Sequence, residues 1–414
     1  MKYRIKPSLC FRQQIQLPAS KSISNRALTI HALTGGILMP ANLSDCDDTN
    51  VIVRALSNMP EVIDIGAAGT AMRFLTAYLC TIEGEHVLTG SERMKQRPIG
   101  VLVEAMRRLG ADIEYVEEEG FPPLHIRGKK LAGGYLEIPG NISSQFISAL
   151  LMIGASLTHG LTLKLTGGII SRPYIDLTLD VMRHYGASAD WDDSETIVVK
   201  AQPYQDCHFY IENDWSAASY WYEILALAKN DGNEVTLPGL FDGSPQGDSV
   251  IRFLFSMLGV KTAFNGNEAT LSCHIRNVQR MDFDFVNTPD LAQTLVVTCC
   301  ALGIKFHFKG LSTLKIKETD RILALKTELH KLGYEVKDAN DSELIWEGER
   351  CEPEHDQTIN TYNDHRMAMA FAPLALTLGE ITIDNPEVVS KSYPNYWEDL
   401  RKIGFEIEEI QTPT

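Results

Sequence analysis

The stretch Thr361–Leu376, TYNDHRMAMAFAPLAL, places Asp364, His365 and Arg366 directly before a long apolar run. A run of this length behind a residue that can cap a helix predicts a buried helix that begins at the charged triplet. Pro373 lies within the run and is expected to kink or locally open this helix. One such triplet is an ordinary helix start, so its meaning depends on whether the pattern recurs.

The pattern occurs six times: a small or polar start, an apolar run of about 12–16 residues and, in most copies, a closing Gly. The copies are SKSISNRALTIHALTGG from Ser20, AGTAMRFLTAYLCTIEG from Ala68, SSQFISALLMIGASLTHG from Ser143, WSAASYWYEILALAKNDG from Trp215, PDLAQTLVVTCCALG from Pro289 and DHRMAMAFAPLALTLG from Asp364. Helices that are apolar on most of their faces are buried. Six buried helices are therefore expected to form the cores.

A second, amphipathic segment follows each apolar run, and five of these segments end in a Gly and a short strand-like stretch. They begin about 75 residues apart and are RPIGVLVEAMRRLGADIEYV from Arg97, RPYIDLTLDVMRHYGASADW from Arg172, QGDSVIRFLFSMLGVKTAF from Gln246, KETDRILALKTELHKLGYEV from Lys317 and YPNYWEDLRKIGFEIEEI from Tyr393. The stretches between units, such as GYLEIPG and FDFVNTPD, alternate in the manner of strands.

The recurring unit is strand–helix–strand–helix–strand–strand, and six such units predict an α/β fold of the α+β kind. The first unit is short, because only 48 residues separate Ser20 from Ala68. Only PEVIDIG follows its second helix before the next buried helix begins. We therefore expect the first unit to lack its final strand pair.

Composition excludes several classes of function. The net charge of −16 argues against a general nucleic-acid-binding protein, although a local basic site is compatible with it. No apolar stretch reaches the length of about 18 residues that crosses a membrane, so no membrane partner is expected. The eight cysteines are scattered without a CxxC pair, which is typical of reduced core thiols in a cytoplasmic protein. The start, MKYRIKPSLC, has no targeting character, which also favours the cytoplasm.

Basic residues lie at equivalent points near several expected helix starts. They are Lys21 and Arg26, Arg73, Arg97, Arg172, Lys317 and Arg321, and Arg366. A cation at a helix start is unfavourable by about a few tenths of a kcal/mol, because the helix start itself carries partial positive charge. Each residue alone is an ordinary capping or surface residue. Their repeated placement predicts that several helix starts line an anion-binding site.

Ten motifs occur in a fixed order along almost the whole chain. They are PASKSISNRAL (Pro18–Leu28), AGTAMR (Ala68–Arg73), RMKQRPIG (Arg93–Gly100), SSQF (Ser143–Phe146), SRPYIDLTL (Ser171–Leu179), QGD (Gln246–Asp248), NTPD (Asn287–Asp290), KETDR (Lys317–Arg321), YNDHRMAMAF (Tyr362–Phe371) and SKSYPNYW (Ser390–Trp397). With these motifs the chain closely resembles the 5-enolpyruvylshikimate-3-phosphate (EPSP) synthase family of enolpyruvyl transferases.

The resemblance implies a two-lobed inverted-repeat fold, with three units in each lobe and buried helices that point their N-termini into a cleft. The N-terminal lobe would comprise residues 20–213, including the truncated first unit. The C-terminal lobe would comprise residues 214–414 together with the first strand, in residues 1–19. The active site is expected in the cleft between the lobes.

The resemblance also implies the reaction. The enolpyruvyl group of phosphoenolpyruvate moves to the 5-hydroxyl of shikimate 3-phosphate through a tetrahedral intermediate, and inorganic phosphate leaves, on the shikimate pathway to chorismate and aromatic amino acids. The two substrates together carry about five or six negative charges, which require many Lys and Arg side chains. No metal and no cofactor is implied. The expected partners are the two small-molecule substrates, with no nucleic acid and no membrane, and a monomer is expected.

The site residues also follow from the resemblance. Phosphoenolpyruvate would be bound by a mainly basic set: Lys21, Gly69, Arg97, Gln145, Arg321, Arg366 and Lys391. Shikimate 3-phosphate would be bound by a mainly hydroxyl-bearing set: Ser22, Arg26, Ser143, Ser144, Gln145, Ser171, Tyr174, Asp290, Thr313 and Lys317.

The resemblance implies four catalytic residues, of which Glu318 belongs to neither binding set. Asp290 is expected to act as the base for the 5-hydroxyl, and Glu318 to exchange the proton of the methylene carbon. Lys317 is expected to stabilise charge on the intermediate and to assist proton transfer. Lys21 completes the catalytic set.

Three positions depart from the family pattern. Ala67 replaces the usual Asn before AGTAMR and removes a polar group near the phosphoenolpyruvate site. Phe74 is bulkier than the usual Pro or Leu and is expected to alter the pocket beneath Gly69. Thr313 stands where an Asn often contacts the substrate, and its hydroxyl side chain is shorter.

Two other functions stay open at this point. One is that of the related transferase that uses UDP-N-acetylglucosamine, although its reactive Cys has no counterpart in Ser91–Gly100, SERMKQRPIG. The other is a non-catalytic anion-binding homologue, against which the presence of both Asp290 and Glu318 argues.

Overall fold

A computed structural model describes residues 1–8, 10–228 and 232–410. Its helices are α1 Lys21–Thr34, α2 Asp47–Asn58, α3 Gly69–Leu79, α4 Glu92–Lys95, α5 Gly100–Arg108, α6 Ser144–Gly154, α7 Arg172–His184, α8 Trp215–Leu227, α9 Ile251–Met257, α10 Ala292–Leu302, α11 Arg321–Lys331, α12 His365–Phe371, α13 Ala375–Leu378 and α14 Tyr396–Lys402. Its strands are β1 Lys2–Lys6, β2 Arg12–Gln14, β3 Val62–Asp64, β4 Gly84–Thr89, β5 Asp112–Tyr115, β6 Leu124–Gly128, β7 Gly134–Pro139, β8 Leu161–Thr166, β9 Ala189–Trp191, β10 Thr196–Val199, β11 Glu234–Pro238, β12 Val260–Asn265, β13 Glu268–Cys273, β14 Arg280–Asp284, β15 Lys305–Lys309, β16 Lys337–Ala339, β17 Glu343–Trp346, β18 Ile381–Asp384 and β19 Glu406–Ile410.

The chain forms two compact units. The insert unit comprises Ala19–Ile211, and the terminal unit comprises Met1–Pro18 and Glu212–Thr414. The insert unit begins at Ala19, one residue before the first residue of the lobe expected at residues 20–213. It ends at Ile211, two residues before the last residue of that lobe. Residues 229–231 of the fourth apolar copy and residues 411–414 of the expected C-terminal lobe lie outside the described residues.

The insert unit contains two sheets with one topology, in the strand orders β3-β4-β6-β5 and β7-β8-β10-β9. In each sheet the first pair of strands is parallel and the other pairs are antiparallel. Only β3 lies between α2 and α3, so the first unit lacks its strand pair, as predicted. A parallel bridge joins Ala41 to Tyr210, so the far end of the insert unit pairs with the segment between α1 and α2.

The described residues of the terminal unit form three sheets, in the strand orders β12-β13-β11-β2, β14-β15-β17-β16 and β18-β1-β19. Strand β2 pairs in parallel with β11, and β1 is the central strand between β18 and β19. The first residues of the chain therefore complete two sheets whose other strands come from the second half of the chain.

The apolar runs form buried helices, as predicted. Every residue of α3 and α12 is buried. Helices α1, α3 and α6 pack together in the insert unit, and α8, α10 and α12 pack together in the terminal unit. Around Pro373 the last run opens into a 3₁₀ turn, Ala372–Leu374, between α12 and α13, which confirms the expected interruption.

Two sequence expectations about local structure are wrong. FDFVNTPD is not a strand beyond Asp284, because the Asp284 carboxylate accepts the Val286 N–H at 2.9 Å and starts a 3₁₀ turn. Three amphipathic helices, α5, α11 and α14, begin three or four residues after the expected points. Helix α7 begins as expected, at Arg172, and the 3₁₀ turn Gly247–Val250 that leads into α9 begins one residue after Gln246. In α11 the reason is a cap: the Asp320 side chain accepts the Leu323 N–H at 3.1 Å.

Two compositional expectations can be compared with the structure. All eight cysteines have free thiols, but the expectation that they lie in the core is wrong for four of them, because Cys10 is exposed and Cys207, Cys273 and Cys351 are half-buried. Among the described residues, no helix is long and apolar enough to span a bilayer.

Candidate active site

Seven charged side chains from four of the sequence motifs meet in the terminal unit. We call them the ionic cluster, and they are Asp290, Lys317, Glu318, Arg321, Asp364, Arg366 and Lys391. They lie at or just before the starts of α10, α11 and α12 and at the end of the 3₁₀ turn Pro386–Lys391. The fold therefore gathers residues that are up to 101 positions apart in the chain (391 − 290).

Arg321 is the buried centre of the ionic cluster. Its Nε and Nη2 donate to the two carboxylate oxygens of Asp364, at 2.6 and 3.2 Å. Its Nη2 also donates to Glu318 Oε2 at 2.8 Å, and its Nη1 donates to Asp290 Oδ1 at 3.2 Å. Burial lowers the pKa of Arg321, but these three carboxylates outweigh burial and raise that pKa above its ordinary value.

Asp290 is surrounded by three cations. Arg366 Nη2 lies 3.1 Å from one carboxylate oxygen, while Arg321 Nη1 and Lys317 Nζ lie 3.2 and 3.5 Å from the other. Burial raises the pKa of Asp290, but Arg366, Lys317 and Arg321 together hold it well below its ordinary value. The Asp290 carboxylate is therefore ionised and a weak base while it keeps these partners.

Glu318 and Lys317 are neighbours in the KETDR motif and extend the ionic cluster to Lys391 and Asp290. Glu318 lies between Arg321 and Lys391, and its Oε1 is 3.1 Å from Lys391 Nζ. Burial lowers the pKa of Lys317 below its ordinary value, although the nearby Asp290 carboxylate acts to raise it. Lys317 therefore releases a proton more readily than a solvated lysine.

Several partners of these residues are not among the site residues expected from the sequence. The Asp364 carboxylate accepts the Arg366 N–H at 2.9 Å as the cap of α12, in addition to its bonds with Arg321. Arg366 also donates to Ser216 Oγ at 3.3 Å and to the Tyr220 hydroxyl at 3.4 Å. Ser216 and Tyr220 are four positions apart at the start of α8, and this spacing places them on one helix face. The spacing is the feature of the sequence from which their shared contact with one side chain could have been predicted.

Among the described residues, Thr313 makes no side-chain hydrogen bond to the ionic cluster. It lies in the 3₁₀ turn Ser312–Ile316, and its Oγ1 is buried without a hydrogen-bond partner there. A buried hydroxyl normally has a partner, so the position is compatible with a ligand contact.

Lys21 in the insert unit is paired with a carboxylate. It is the first residue of α1, which Ser20 caps by accepting the Ile23 N–H at 3.4 Å. Its Nζ lies 3.2 Å from Asp48 Oδ2, in the first turn of α2. Asp48 is not among the site residues expected from the sequence, although it lies with Asp47 in an acidic first turn.

Gly69 and Arg97 are in close contact. Gly69 is the first residue of α3, and a Cβ atom at this position would lie 2.7 Å from Arg97 Nη1. The guanidinium group therefore lies against a helix start that a side chain larger than hydrogen would obstruct. Ala67 is exposed beside this start, and Ala68 provides no side-chain cap.

Gln145 connects the starts of α6 and α3. Its Nε2 donates to Thr70 Oγ1 at 3.0 Å, and its backbone N–H donates at 3.4 Å to Ser143, the cap of α6. Ser144 follows the cap and is buried. The SSQ motif is thus fixed beside Gly69.

Arg26 makes mainly internal contacts. Its guanidinium donates to Thr178 Oγ1 at 2.7 Å and to the carbonyl oxygens of Ser22 and Tyr174, at 2.8 and 3.3 Å. The Phe74 ring lies 5.5 Å from it, and burial lowers the pKa of Arg26 to about 10. Arg26 therefore holds the backbone of two other residues expected to bind substrate.

Ser171 and Arg172 are adjacent at the start of α7, but their side chains have different surroundings. Ser171 is buried and adopts φ 53°, a left-handed conformation that few non-glycine residues adopt. Arg172 instead stacks on Trp191 at 4.0 Å and donates to the Ser194 carbonyl at 3.3 Å. Arg172 therefore has a local packing role and is not one of the anion-lining cations that sequence analysis expected.

Comparison with protein families and curated proteins gives one consistent result. The family model for EPSP synthase (3-phosphoshikimate 1-carboxyvinyltransferase) matches residues 58–400. A protein of Bacteroides fragilis named 3-phosphoshikimate 1-carboxyvinyltransferase is 58% identical over 408 residues, which is 99% of either chain. A protein of the same name from Photobacterium profundum is 37% identical and covers 94% of this chain and 96% of its own length.

Solved structures show the same fold at low sequence identity. The EPSP synthase of Acinetobacter baumannii has a TM-score of 0.77 and 22% identity, and covers 99% of this chain and 100% of its own. The enolpyruvyl transferase NikO of Streptomyces tendae has a TM-score of 0.74 and 16% identity, and covers 100% of this chain and 99% of its own. These two similarities concern the fold alone.

Proposed function

The chain belongs to the EPSP synthase family, and on this premise we propose that it transfers the enolpyruvyl group of phosphoenolpyruvate to the 5-hydroxyl of shikimate 3-phosphate. Inorganic phosphate is the second product, and the reaction is a step of the shikimate pathway to chorismate and the aromatic amino acids. The observation that carries the proposal is the ionic cluster, in which four separate motifs bring four cations and three carboxylates into contact.

The ionic cluster has the charge to bind an anion. Four cations and three carboxylates leave a net charge of +1 (4 − 3). Phosphoenolpyruvate carries a phosphate and a carboxylate, and the guanidinium forks of Arg321 and Arg366 match both groups. We propose that these two residues and Lys391 exchange part of their contacts with protein carboxylates for contacts with this substrate.

The insert unit is proposed to bind the same substrate through Lys21, Gly69, Arg97 and Gln145. Arg97 lies against the start of α3, whose first N–H groups have no side-chain cap. A helix start and a guanidinium group side by side favour a phosphate or carboxylate. The contact between Gly69 and Arg97 supports this assignment.

Asp290 is proposed to remove the proton of the 5-hydroxyl. The low pKa of this carboxyl depends on Arg366, Lys317 and Arg321. When a substrate anion draws Arg366 and Arg321 away, their effect on Asp290 weakens and the pKa of Asp290 rises. Binding of phosphoenolpyruvate thus converts a weak base into a stronger one when the acceptor hydroxyl is in place.

Glu318 is proposed to transfer a proton to and from the methylene carbon of phosphoenolpyruvate. Arg321 and Lys391 hold the Glu318 carboxylate from two sides. Lys317, with its lowered pKa, is proposed to assist this transfer and to stabilise charge on the tetrahedral intermediate. Lys21 is proposed to stabilise the leaving phosphate as a point charge, because its ammonium group is compact.

Shikimate 3-phosphate is proposed to bind through residues of both units. The insert unit would contribute Ser22, Arg26, Ser143, Ser144, Gln145, Ser171 and Tyr174, and the terminal unit Asp290, Thr313 and Lys317. The contacts of Arg26 with the backbone of Ser22 and Tyr174 support a role in arranging this set. The partnerless Oγ1 of Thr313 supports a direct contact with the ligand.

Product analysis tests the proposal. The purified chain is incubated with phosphoenolpyruvate and shikimate 3-phosphate, and the acceptor is examined by mass spectrometry and NMR. We expect an enolpyruvyl ether at the 5-position, formed in equal amount with inorganic phosphate. Phosphate without the ether would mean simple hydrolysis, and neither product would leave the non-catalytic anion-binding homologue as the better assignment.

A further inference from the structure

Three side chains that can bind a metal ion meet at the C-terminal end of α11. The Nδ1 of His330, a carboxylate oxygen of Glu335 and the Sγ of Cys351 all lie within 4.8 Å of one another. His330 Nδ1 is 3.0 Å from Glu335 Oε2 and 3.4 Å from Cys351 Sγ. None of the three belongs to the ionic cluster, and nothing in the reaction uses them.

The two separations from His330 Nδ1 are close to the edges of a tetrahedral zinc site. Zinc lies about 2.3 Å from a thiolate sulfur and about 2.0–2.1 Å from a histidine nitrogen or a carboxylate oxygen. At tetrahedral angles these bond lengths give a nitrogen–sulfur edge of about 3.5 Å and a nitrogen–oxygen edge of about 3.3 Å. The observed 3.4 and 3.0 Å therefore require shifts of only a few tenths of an ångström.

The backbone holds the three side chains together without a metal ion. Gly333, with φ 86°, follows α11 and donates its N–H to the His330 carbonyl at 2.8 Å, which turns the chain back. The Glu335 N–H then donates to the Glu349 carbonyl at 3.1 Å, and the Cys351 N–H donates to the Gly333 carbonyl at 3.1 Å. Two hydrogen-bonded segments thus bring Glu335 and Cys351 to the helix end that carries His330.

The helix end itself favours a cation. The last carbonyl groups of an α-helix carry partial negative charge. His330 lies in the last turn of the 11-residue α11, and Cys351 Sγ lies 3.5 Å from the His330 carbonyl oxygen. The partial negative charge of these backbone carbonyl groups therefore adds to the negative charges of the Glu335 carboxylate and of a Cys351 thiolate, and all three favour a bound cation.

We propose that His330, Glu335 and Cys351 bind one divalent transition-metal ion of the zinc class, with water as the fourth ligand. A thiolate and an imidazole select zinc, cobalt and related ions over magnesium and calcium, which prefer oxygen ligands. The site lies at the opposite end of α11 from Arg321. The ion would therefore stabilise the connection between α11 and the segment at Cys351 and take no part in enolpyruvyl transfer.

Cobalt titration tests the proposal. Co²⁺ alone is added to the reduced, full-length chain, and the thiolate-to-cobalt charge-transfer absorption is followed. We expect one equivalent to saturate the band, excess Zn²⁺ to remove it and Mg²⁺ to leave it unchanged. Cys351→Ser should abolish the band, and His330→Ala should weaken cobalt binding at least tenfold. The control is Cys10→Ser, which alters an exposed cysteine outside the proposed site and should bind cobalt as the wild type does.

Thermal unfolding separates a lost ligand from a misfolded variant. Without metal, Cys351→Ser and the wild type should have the same Tm, and Zn²⁺ should raise the Tm of the wild type and of Cys10→Ser but not of Cys351→Ser. No cobalt band in the wild type, or a band that persists in Cys351→Ser, would overturn the proposal.

Discussion

Arg321 and Asp364 form a buried ion pair with two contacts, in which Arg321 Nε and Nη2 lie 2.6 and 3.2 Å from the two oxygens of Asp364. The side chain of Asp364 is 0% exposed and that of Arg321 is 2% exposed. The pair joins the start of α11 to the start of α12, where Asp364 also caps the helix. One carboxylate thus places both Arg321 and Arg366 in the ionic cluster.

Replacing Asp364 should destabilise the protein strongly. Asp364→Asn keeps a residue that can cap α12 but removes one of the three carboxylates that compensate the buried charge of Arg321, which leaves Glu318 and Asp290 as its partners. We therefore expect a loss of about 1–3 kcal/mol in the free energy of unfolding. Asp364→Ala also removes the cap and should lose about 1 kcal/mol more. Urea titration measures both losses.

Asp341→Asn is the matched control, because Asp341 is exposed and pairs with Lys315 at the surface. Its unfolding midpoint should equal that of the wild type. An Asp364→Asn variant as stable as this control would show that the buried pair does not hold the two helices.

Asp290→Asn should reduce turnover without preventing binding. Loss of a general base costs about 10²–10⁴-fold in kcat. The KM for phosphoenolpyruvate should stay the same or fall, because Arg366 and Arg321 lose a competing carboxylate. Phosphate release measures both constants, with Asp282→Asn, an exposed position on β14, as the control. A kcat within twofold of the wild type would remove Asp290 from the mechanism.

Gly69→Ala should weaken phosphoenolpyruvate binding selectively. The added Cβ would lie 2.7 Å from Arg97 Nη1, so the guanidinium group must move. We expect the KM for phosphoenolpyruvate to rise at least tenfold and the KM for shikimate 3-phosphate to change little. Gly168→Ala, where a Cβ meets nothing within 4 Å, is the control. Equal KM values in the two variants would contradict the assignment of Gly69 and Arg97.

Glu223 should make stability depend on pH. Its side chain is 0% exposed on α8, and burial raises its pKa well above the ordinary value of 4.5. Because ionisation is easier in the unfolded chain, this residue costs no stability below pH 4.5 and an increasing amount as the pH rises above it. Glu223→Gln should therefore gain stability relative to the wild type between pH 5 and 8, by up to about 1.4 kcal/mol per pH unit.

The measurement is urea titration of both proteins across this range. The exposed Glu83→Gln variant should show a constant difference from the wild type. A constant difference for Glu223→Gln as well would mean that Glu223 titrates in the folded protein as it does in the unfolded chain.

The six repeated units and their buried helices could be predicted from the sequence, because each helix depends on residues that are close to one another in the chain. An apolar run such as Gly69–Leu79 determines burial through its own composition, and Pro373 interrupts its helix by local sterics. The missing strand pair before α3 followed from chain length alone.

Long-range pairing could not be predicted in the same way. Strand β1 alternates like many others, and only the folded chain shows that it lies between β18 and β19. Likewise, Arg321 and Asp364 are 43 positions apart, and no local pattern links them. The cations of the site and the position of Asp364 at a helix start could therefore be predicted, but not the pairing of Asp364 with Arg321 or the contributions of Ser216 and Asp48, which hold other cations in place.

The rate of inorganic phosphate release from phosphoenolpyruvate with each of two acceptors decides whether the chain transfers the enolpyruvyl group to shikimate 3-phosphate. Shikimate 3-phosphate and UDP-N-acetylglucosamine are supplied in parallel to the same preparation of the purified chain. We expect steady phosphate release with shikimate 3-phosphate and none above background with UDP-N-acetylglucosamine. Release only with UDP-N-acetylglucosamine, or with neither acceptor, would show that shikimate 3-phosphate is not the acceptor.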